Sequence, residues 1–276
     1  TYSATEQTSL TLKNTGLSIS DVDAGTGAMT VTVAVTEGTL TATAGNSGAV
    51  MAGAILVLGR IGTVERPAII TVLPTLKGPT IMLDGGANVD CKASHLVQFG
   101  LMGEVFSRRV LGVARPRVAV LANGEEESKG TELTRTAAAA LRRAPLDFRG
   151  YCEGRDLLTG EFDVIVTDGF TGNVALKTME GTAKVVGEYV KQALRSSTAS
   201  KIGGLLVKPA LSEIRKLLDP SEQGAAPMLG INGLVFIGHG RSDAFAIKNA
   251  VRVAKHAVDV KVLDAMKSAI EESLKK

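Results

Sequence analysis

Hydrophobic and polar residues follow two different patterns along the chain, and the change falls near residue 43. Before it, MTVTVAVTEGTLTAT alternates between polar and apolar side chains, with Glu37 and Gly38 between two runs. A period of two with a short polar break predicts a β-hairpin. After it, short apolar runs of strand length alternate with longer helical segments, which is typical of a sheet covered by helices. We therefore predict a β-hairpin fragment over 1–43 and an α/β domain over 44–276.

The pattern of the second region is regular enough to place its elements. Strands are predicted at 68–73, 80–83, 117–121, 163–167 and 234–237. Helices are predicted at 47–60, 94–110, 129–143, 173–194, 203–218, 243–257 and 260–274. This alternation favours an α/β fold with a parallel or mixed sheet.

Composition narrows the function classes. A net charge of +3 with basic residues spread along the chain gives no reason to expect nucleic-acid binding. Two cysteines, Cys91 and Cys152, do not make a disulfide framework, and the three histidines are far apart in the sequence, so no metal and no cofactor is predicted. There is no apolar run of membrane-spanning length and no signal-peptide pattern, so we expect a cytoplasmic protein.

Candidate chemistry lies in five turns that join strands to helices. Backbone N–H groups and the helix dipole favour anions at such places. The turns read TAGNSGAVMAG, LDGGANVDCK, LANGEEESKGTEL, VTDGFTGNVALK and FIGHGRSDA, and none is a known nucleotide-binding motif. Together they predict a polar cleft lined by strand ends.

Each turn also has a purely structural interpretation. Glycine beside Asn or Asp is common wherever the backbone needs a positive φ. Ser47, Thr171 and Asp243 fit helix N-caps, and the three glutamates from 125 to 127 fit a solvated loop. His239, between two glycines, is the best single candidate for a functional residue, whereas Cys91 fits a packed apolar position better than a nucleophile.

Long stretches of residues 44–276 resemble the bacterial phosphate acyltransferases of phospholipid synthesis, the PlsX family. The stretches include AGNSGAVMAGA, LDGGANVDCK, RPRVAVLANGEEESKGTEL, EGRDLLTGEFDVIVTDGFTGNVALKTMEG and LGINGLVFIGHGRSDAFAIKNAVRVA. The resemblance implies a three-layer α/β/α fold like those of isopropylmalate dehydrogenases and phosphotransacetylases. It also implies transfer of a fatty acyl group from acyl carrier protein to inorganic phosphate, which gives acyl phosphate.

The resemblance implies roles for residues in all five turns. The catalytic set is His239 as the acid, with Lys129, Asp168 and Asn173. Phosphate or substrate contacts are assigned to Gly45, Asn46, Ser47, Gly48, Asp84, Asn88, Asp90, Ser128, Gly130, Arg241 and Ser242.

The family also implies a homodimer and peripheral membrane contact. A predicted helix over Gly203–Leu218 carries Leu206, Ala210, Ile214 and Leu217 on one stripe, which fits a membrane surface or a partner subunit. Proline at position 209 predicts a bend or a helix start.

The first 43 residues depart from that family, whose members begin with a strand and a DAMGGD-type turn that this sequence lacks. LSISDVDAGTGAMTVTVAVTEGTLTAT resembles instead a fragment of the cadherin-like or immunoglobulin-like repeats of bacterial surface adhesins. This leaves a second function class open, a non-catalytic binding or surface protein that keeps the α/β scaffold.

Overall fold

The computed structural model describes four short backbone strands between residues 10 and 43, and residues 54–217, 219–238 and 242–273. The first four strands form two antiparallel pairs, β1 (Leu10–Leu12) with β2 (Leu17–Ile19), and β3 (Thr30–Val35) with β4 (Gly38–Thr43). Val35 pairs with Gly38 across the second pair, which confirms the predicted hairpin.

The remaining strands form one mixed seven-stranded sheet in the order β11-β10-β5-β6-β9-β7-β8. Their bounds are β5 Ala68–Thr75, β6 Gly78–Leu83, β7 Arg117–Leu121, β8 Asp147–Cys152, β9 Val164–Val166, β10 Ala225–Leu229 and β11 Val235–Gly238. The strands β6, β9, β7 and β8 are parallel neighbours. The pairs β5–β6, β5–β10 and β10–β11 are antiparallel.

Six longer helices surround the sheet in the part of the chain that the structure describes. They are α1 Ala93–Val110, α2 Glu132–Leu141, α3 Gly169–Arg195, α4 Thr198–Leu217, α5 Ala244–Asp259 and α6 Val262–Ser273. Short 3-10 turns occupy Gly154–Leu158 and Pro220–Glu222, and 54–58 is helical. Six of the predicted helices are confirmed within about five residues at their ends. Of the seventh, predicted at 47–60, residues 54–58 are helical, and 47–53 lie outside the described residues. Pro209 lies inside α4, so the prediction that a helix starts there is wrong.

Helices cover both faces of the sheet because side chains alternate along each strand. One face packs on α1, α2 and α6 through a large apolar cluster that includes Ile81, Val118, Phe99, Leu141 and Met266. The other face packs on the first part of α3 through a smaller cluster that includes Met82, Ala119, Ile165, Leu176 and Met179. The predicted three-layer α/β/α fold is therefore present.

The outer strand β8 contains a bulge. Val118 of β7 pairs with Phe148, but Val120 pairs with Tyr151, so Arg149 and Gly150 together face one residue of β7. Gly150 has φ +98°, a conformation that glycine adopts without strain.

Candidate functional site

The candidate site lies at the edge of the sheet where parallel strands end. The neighbours β6, β9 and β7 end at Leu83, Val166 and Leu121. Carboxyl-terminal ends of parallel strands meet at one edge of a sheet, where open α/β sheets bind their ligands. Three of the five predicted turns, at 84–90, 167–173 and 123–130, therefore leave the sheet at the same edge.

Asp84 organises the first of these turns from a fully buried position. Its Oδ1 accepts hydrogen bonds from the backbone N–H groups of Ile69, Gly86 and Ala87, at 3.0, 3.2 and 3.1 Å. Its Oδ2 accepts from the backbone N of Asn88 at 2.6 Å and from Asn88 Nδ2 at 2.8 Å. Burial raises the pKa of Asp84, although these hydrogen bonds act in the opposite direction.

Asn88 is the second buried polar residue of the turn, at 6% exposure. Its Nδ2 also donates to the carbonyl of Pro67 at 2.7 Å, and its own carbonyl accepts from Gly169 N at 2.7 Å. The sequence analysis placed Asp84 and Asn88 in contact with phosphate. Both side chains are hydrogen-bonded within the protein, and Val89 and Asp90 are the exposed residues of the turn. Contact of Asp84 and Asn88 with phosphate stays a prediction.

The second turn begins α3 and fits tightly against the first. Asp168 is the N-cap, since its Oδ1 accepts from Thr171 N at 2.8 Å and its Oδ2 from Thr171 Oγ1 at 2.8 Å. Thr171 itself is therefore not the cap. A Cβ at Gly172 would lie 2.0 Å from the carbonyl oxygen of Asp84, so only glycine fits. Asn173 is exposed one residue further on.

The third turn, 123–130, is closed by Asn123, whose Oδ1 accepts from Gly130 N at 2.8 Å. Gly130 has φ +82°, and Gly124 is buried beneath the side chain of Lys129. Ser128 and Lys129 are exposed at the surface of this turn. Their hydroxyl and ammonium groups are therefore free to contact an anion from solvent.

Arginines outside the turn hold two of its three glutamates. Arg155 donates to Glu125 at 2.8 Å, and Arg142 donates to Glu127 at 2.7 Å. All three glutamates are exposed, as the solvated-loop interpretation predicts, and two of them also form surface ion pairs. Exposed ion pairs of this kind each contribute about 1 kcal/mol or less to the free energy of folding. They position the loop but stabilise the fold little.

The other two predicted turns lie largely outside the described residues. Gly45, Asn46, Ser47, Gly48, His239 and Arg241 lie outside the described residues. Ser242 is half-buried after β11, and Asp243 is confirmed as the N-cap of α5. Strand β11 is antiparallel to β10, and its last residue, Gly238, pairs with Ala225 at the start of β10.

The direction of β11 corrects the prediction of one cleft for all five turns. Leu229, at the end of β10, pairs with Ala68, and Ile70 two residues further along β5 pairs with Leu83 at the end of β6. The carboxyl ends of β6 and β10 thus share one edge, whereas β11 runs away from it. The sequence shows where strands end but carries no sign of their direction.

Gly169 and Gly172 are the positions that the sequence analysis left out of the site. Both lie on the side of α3 that faces the turn at 84–88, where a Cβ at Gly169 would come within 2.6 Å of the Asn88 carbonyl. The signal was available as a pair of glycines three residues apart at a helix start, because residues at that spacing share a helix face.

The site has one thiol nearby, and it is poorly suited to nucleophilic attack. Cys91 is half-buried, and burial, followed by the charge of Asp84, raises its pKa to about 11. Among the described residues no three His, Cys, Asp or Glu side chains come together as metal ligands. The turns at this edge offer an exposed cation and hydroxyl at Lys129 and Ser128 and an exposed amide at Asn173, which suit an anionic substrate.

Comparisons with known proteins point to one family. The sequence profile of the family described as "Fatty acid synthesis protein" matches residues 20–265. The chain is 71% identical over 230 residues to the phosphate acyltransferase of Anaeromyxobacter dehalogenans strain 2CP-C, covering 83% of this chain and 64% of that protein. It is 50% identical over 237 residues to the phosphate acyltransferase of Geotalea uraniireducens, covering 86% and 68%.

A phosphotransacetylase from Streptococcus pyogenes is structurally similar with a TM-score of 0.48 at 14% identity, covering 77% of this chain and 60% of that one. The chain spans 64% of the length of the Anaeromyxobacter relative, so it corresponds to a part of that protein. The profile match includes 20–43, so it does not support the predicted resemblance of this segment to an adhesin repeat. The predicted resemblance to phosphate acyltransferases is confirmed, and the chain belongs to the fatty acid synthesis protein family.

Proposed function

We propose that this chain catalyses transfer of a fatty acyl group from the thioester of acyl carrier protein to inorganic phosphate. The observation that carries the proposal is 71% identity to a phosphate acyltransferase over most of the chain. The exposed Ser128, Lys129 and Asn173 at one edge of the sheet support it. The same identity favours the enzyme over a non-catalytic surface protein.

The reaction needs phosphate held against a thioester carbonyl. A phosphate oxygen attacks the carbonyl carbon, the carbon–sulfur bond breaks, and the sulfur leaves with a proton as a thiol. In the proposal Lys129 and Ser128 hold the phosphate, while Asp168 and Asn173 orient the acyl donor. Fixed donors beside the reacting atoms lower the barrier by positioning and by stabilising negative charge, and no metal is required.

The remaining residues of the proposal are those implied by family resemblance. His239 is proposed to protonate the leaving sulfur, with Arg241, Ser242 and 45–48 as further phosphate contacts. His239 and Arg241 lie outside the described residues. Replacing His239 with alanine tests this role. If His239 protonates the leaving sulfur, the variant should lower turnover by about 10²–10⁴-fold, whereas an unchanged turnover would exclude the role.

Phosphate-dependent deacylation of palmitoyl acyl carrier protein tests the function. The unmodified chain is expected to release the thiol only when phosphate is present, with acyl phosphate as the second product. Lys129→Ala is expected to raise the KM for phosphate about 10–100-fold, because one charge-assisted hydrogen bond is worth about 1.5–3 kcal/mol.

Lys184→Ala is the matched control, because Lys184 is an exposed lysine in the middle of α3. Its KM for phosphate should match that of the unmodified chain. Deacylation that does not depend on phosphate would contradict the proposed function. Equal KM values for the two lysine variants would contradict the role of Lys129.

We further propose a cytoplasmic homodimer that contacts the membrane through Gly203–Leu218. On α4, Leu205, Leu206 and Leu217 are 71%, 78% and 71% exposed, so the predicted stripe is uncovered within this chain. No helix in the described part of the chain combines the length and apolarity needed to span a bilayer. Each leucine that becomes fully buried at an interface contributes about 1.5–3 kcal/mol.

Cosedimentation with anionic liposomes tests the membrane contact. Leu206→Glu is expected to abolish it, whereas Ser212→Glu, which adds the same charge to another side of α4, should leave it intact. Sedimentation velocity of the same variants distinguishes the alternatives. A Leu206→Glu chain that becomes monomeric would assign the stripe to the subunit interface instead.

We also propose that 1–43 is a segment joined to the family domain, as its resemblance to adhesin repeats implies. The β1–β2 and β3–β4 pairs support its β character. The profile match that begins at residue 20 speaks against a boundary at 44. Residues 1–43 are thus either a separate joined segment or part of the family domain. Removal of 1–43 should leave the stability of the remaining chain unchanged in the first case and lower it in the second.

A further inference from the structure

We infer that Asp84 is a positioning residue, which fixes the start of α3 and so the place where Asp168 and Asn173 meet substrate. Its link to catalysis rests on the proposed function, whereas its link to α3 stands on the contacts alone.

The link begins with five hydrogen bonds to one buried carboxylate. Three backbone N–H groups donate to Oδ1, and the backbone and side-chain nitrogens of Asn88 donate to Oδ2. Each acceptor site of Asp84 is therefore used to shape residues 86–88 and to tie them to Ile69 in β5. Such a network is worth most when every member is satisfied.

Asn88 passes this geometry to the helix. Its carbonyl accepts from Gly169 N at 2.7 Å, the first residue of α3. A second connection runs beside it, because Asp84 N donates to the Thr167 carbonyl at 3.0 Å and Thr167 N donates to the Leu83 carbonyl at 2.6 Å. The turn is thus hydrogen-bonded to Gly169 through Asn88 and to Thr167 through the backbone of Leu83 and Asp84.

Close contact leaves the helix start little room to move independently. A Cβ at Gly172 would lie 2.0 Å from the Asp84 carbonyl oxygen, and one at Gly169 would lie 2.8 Å from Asp84 Oδ2. A shift of the turn by a few tenths of an ångström therefore displaces α3, since packed atoms cannot overlap. Asn173 also packs against the turn, because its Cβ would be 3.3 Å from a Cβ at Gly86.

All five groups that face the Asp84 side chain are N–H donors, which favours a carboxylate with two acceptor oxygens at this position. Asparagine at 84 would keep one acceptor oxygen but would turn an NH₂ group toward donors, which repel it. Asp84→Asn should therefore lose the bonds to Ile69, Gly86 and Ala87 or the pair to Asn88. Asn88→Ala is a milder variant, because it removes only the bonds from Nδ2.

Hydrogen exchange measured by mass spectrometry tests the link without any assay of activity. In Asp84→Asn, exchange in a peptide covering 165–176 should be at least about tenfold faster, while a peptide covering 132–141 in α2 keeps its rate. Asn88→Ala should show the same pattern to a smaller extent. Asp264→Asn, an exposed aspartate at the start of α6, is the control and should change neither peptide.

Kinetics then test the catalytic consequence. Asp84→Asn should lower kcat about 10–100-fold, because small misplacements of reacting groups are costly. Its KM for phosphate should stay within about threefold, because Lys129 lies on a separate turn. A merely structural role would instead lower the amount of folded enzyme and leave kcat per folded molecule unchanged.

The outcomes separate the two claims. Unchanged exchange at 165–176 in both variants, or equal acceleration in both peptides, would overturn the positioning role of Asp84. A kcat per folded molecule equal to that of the unmodified chain would overturn its catalytic consequence. Absence of transfer by the unmodified chain would contradict the proposed function, and the exchange result would still decide the link to α3.

Discussion

At the scale of single residues, burial divides the polar groups of this edge into two kinds. Asp84 and Asn88 are buried and bonded within the protein, whereas Lys129 and Asn173 are exposed. A buried polar group is stabilised only by fixed partners, while an exposed one can exchange water for a ligand. The buried pair therefore supports the site, and the exposed pair is left to meet substrate.

Cys91 should be slow to react with thiol reagents. With a pKa of about 11, only about 0.1% of this thiol is ionised at pH 8, and the thiolate is the reactive form. Burial raises the pKa of Cys152 as well. Alkylation by iodoacetamide at pH 8 should be at least about 100-fold slower than in urea for both cysteines, because an ordinary thiol of pKa about 8.5 is about 24% ionised at that pH. Rapid labelling of Cys91 in the folded protein would contradict this.

Asp163 should stabilise the protein in a pH-dependent way. Burial alone would raise its pKa, but the side chain and backbone N–H of Arg117 lower it below the usual range. A lowered pKa contributes stability above the unfolded value of about 3.9, and the contribution is lost as pH falls through the folded value. Asp163→Asn should therefore lower the free energy of unfolding by about 1–2 kcal/mol at pH 7.

Urea unfolding at pH 7 and pH 3 checks the effect of Asp163→Asn, whose difference from the unmodified chain should shrink at pH 3. Asp259→Asn serves as the comparison, because Asp259 pairs with Lys255 on the exposed side of α5. Its effect should stay below about 0.5 kcal/mol. If Asp163→Asn lowered the free energy of unfolding equally at pH 7 and pH 3, the charge of Asp163 would not be the cause of its stabilising effect.

At the scale of elements, the helices were predictable because each is long and has an apolar side. The strands β8 and β10 were missed for local reasons. DFRGYC in β8 contains charges and a glycine bulge, and AAPML in β10 contains Pro227, which cannot donate to a neighbouring strand. The sequence pattern does not show the direction of a strand. It therefore could not predict at which edge of the sheet β11 ends. The contacts of Asp84 were equally hidden, because they depend on which strands become neighbours.

Two glycines of α3 should respond in opposite ways to alanine. Gly172→Ala places a methyl group against the Asp84 carbonyl and should destabilise the protein by about 2 kcal/mol or more through overpacking. Gly181 has open space around it, so Gly181→Ala should stabilise by about 0.5–1 kcal/mol through helix propensity. Thermal unfolding measures both. A tolerated Gly172→Ala would contradict the tight fit between α3 and the turn.

At the scale of the whole molecule, the chain combines a well-packed sheet with two helices, α3 and α4, that are exposed over most of their length. In α3, residues 180–193 are exposed, including Val185, Val186 and Tyr189. Apolar surface of this extent is characteristic of an interaction site. The packed sheet therefore accounts for the fold, and the uncovered helices account for the proposed contacts with a second subunit and a membrane.

Removal of 1–43 should reveal how the N-terminal segment relates to the rest. If it is a joined segment, the chain from residue 44 onward should unfold at the same urea midpoint as the whole, because no packing is lost. A midpoint lowered by more than about 1 M would assign these residues to the family domain, since m-values are about 1–3 kcal/mol/M. Far-ultraviolet circular dichroism provides the control that both proteins are folded.

The bulge in β8 has a consequence for how molecules of this protein meet in a crowded solution. A flat outer strand exposes a row of N–H and C=O groups that can recruit a strand from a neighbouring molecule. Here Gly150 twists that row and Arg149 adds an exposed charge, so the ladder cannot be continued in register. We therefore expect this margin of the sheet to resist intermolecular β-pairing and growth into fibrillar aggregates.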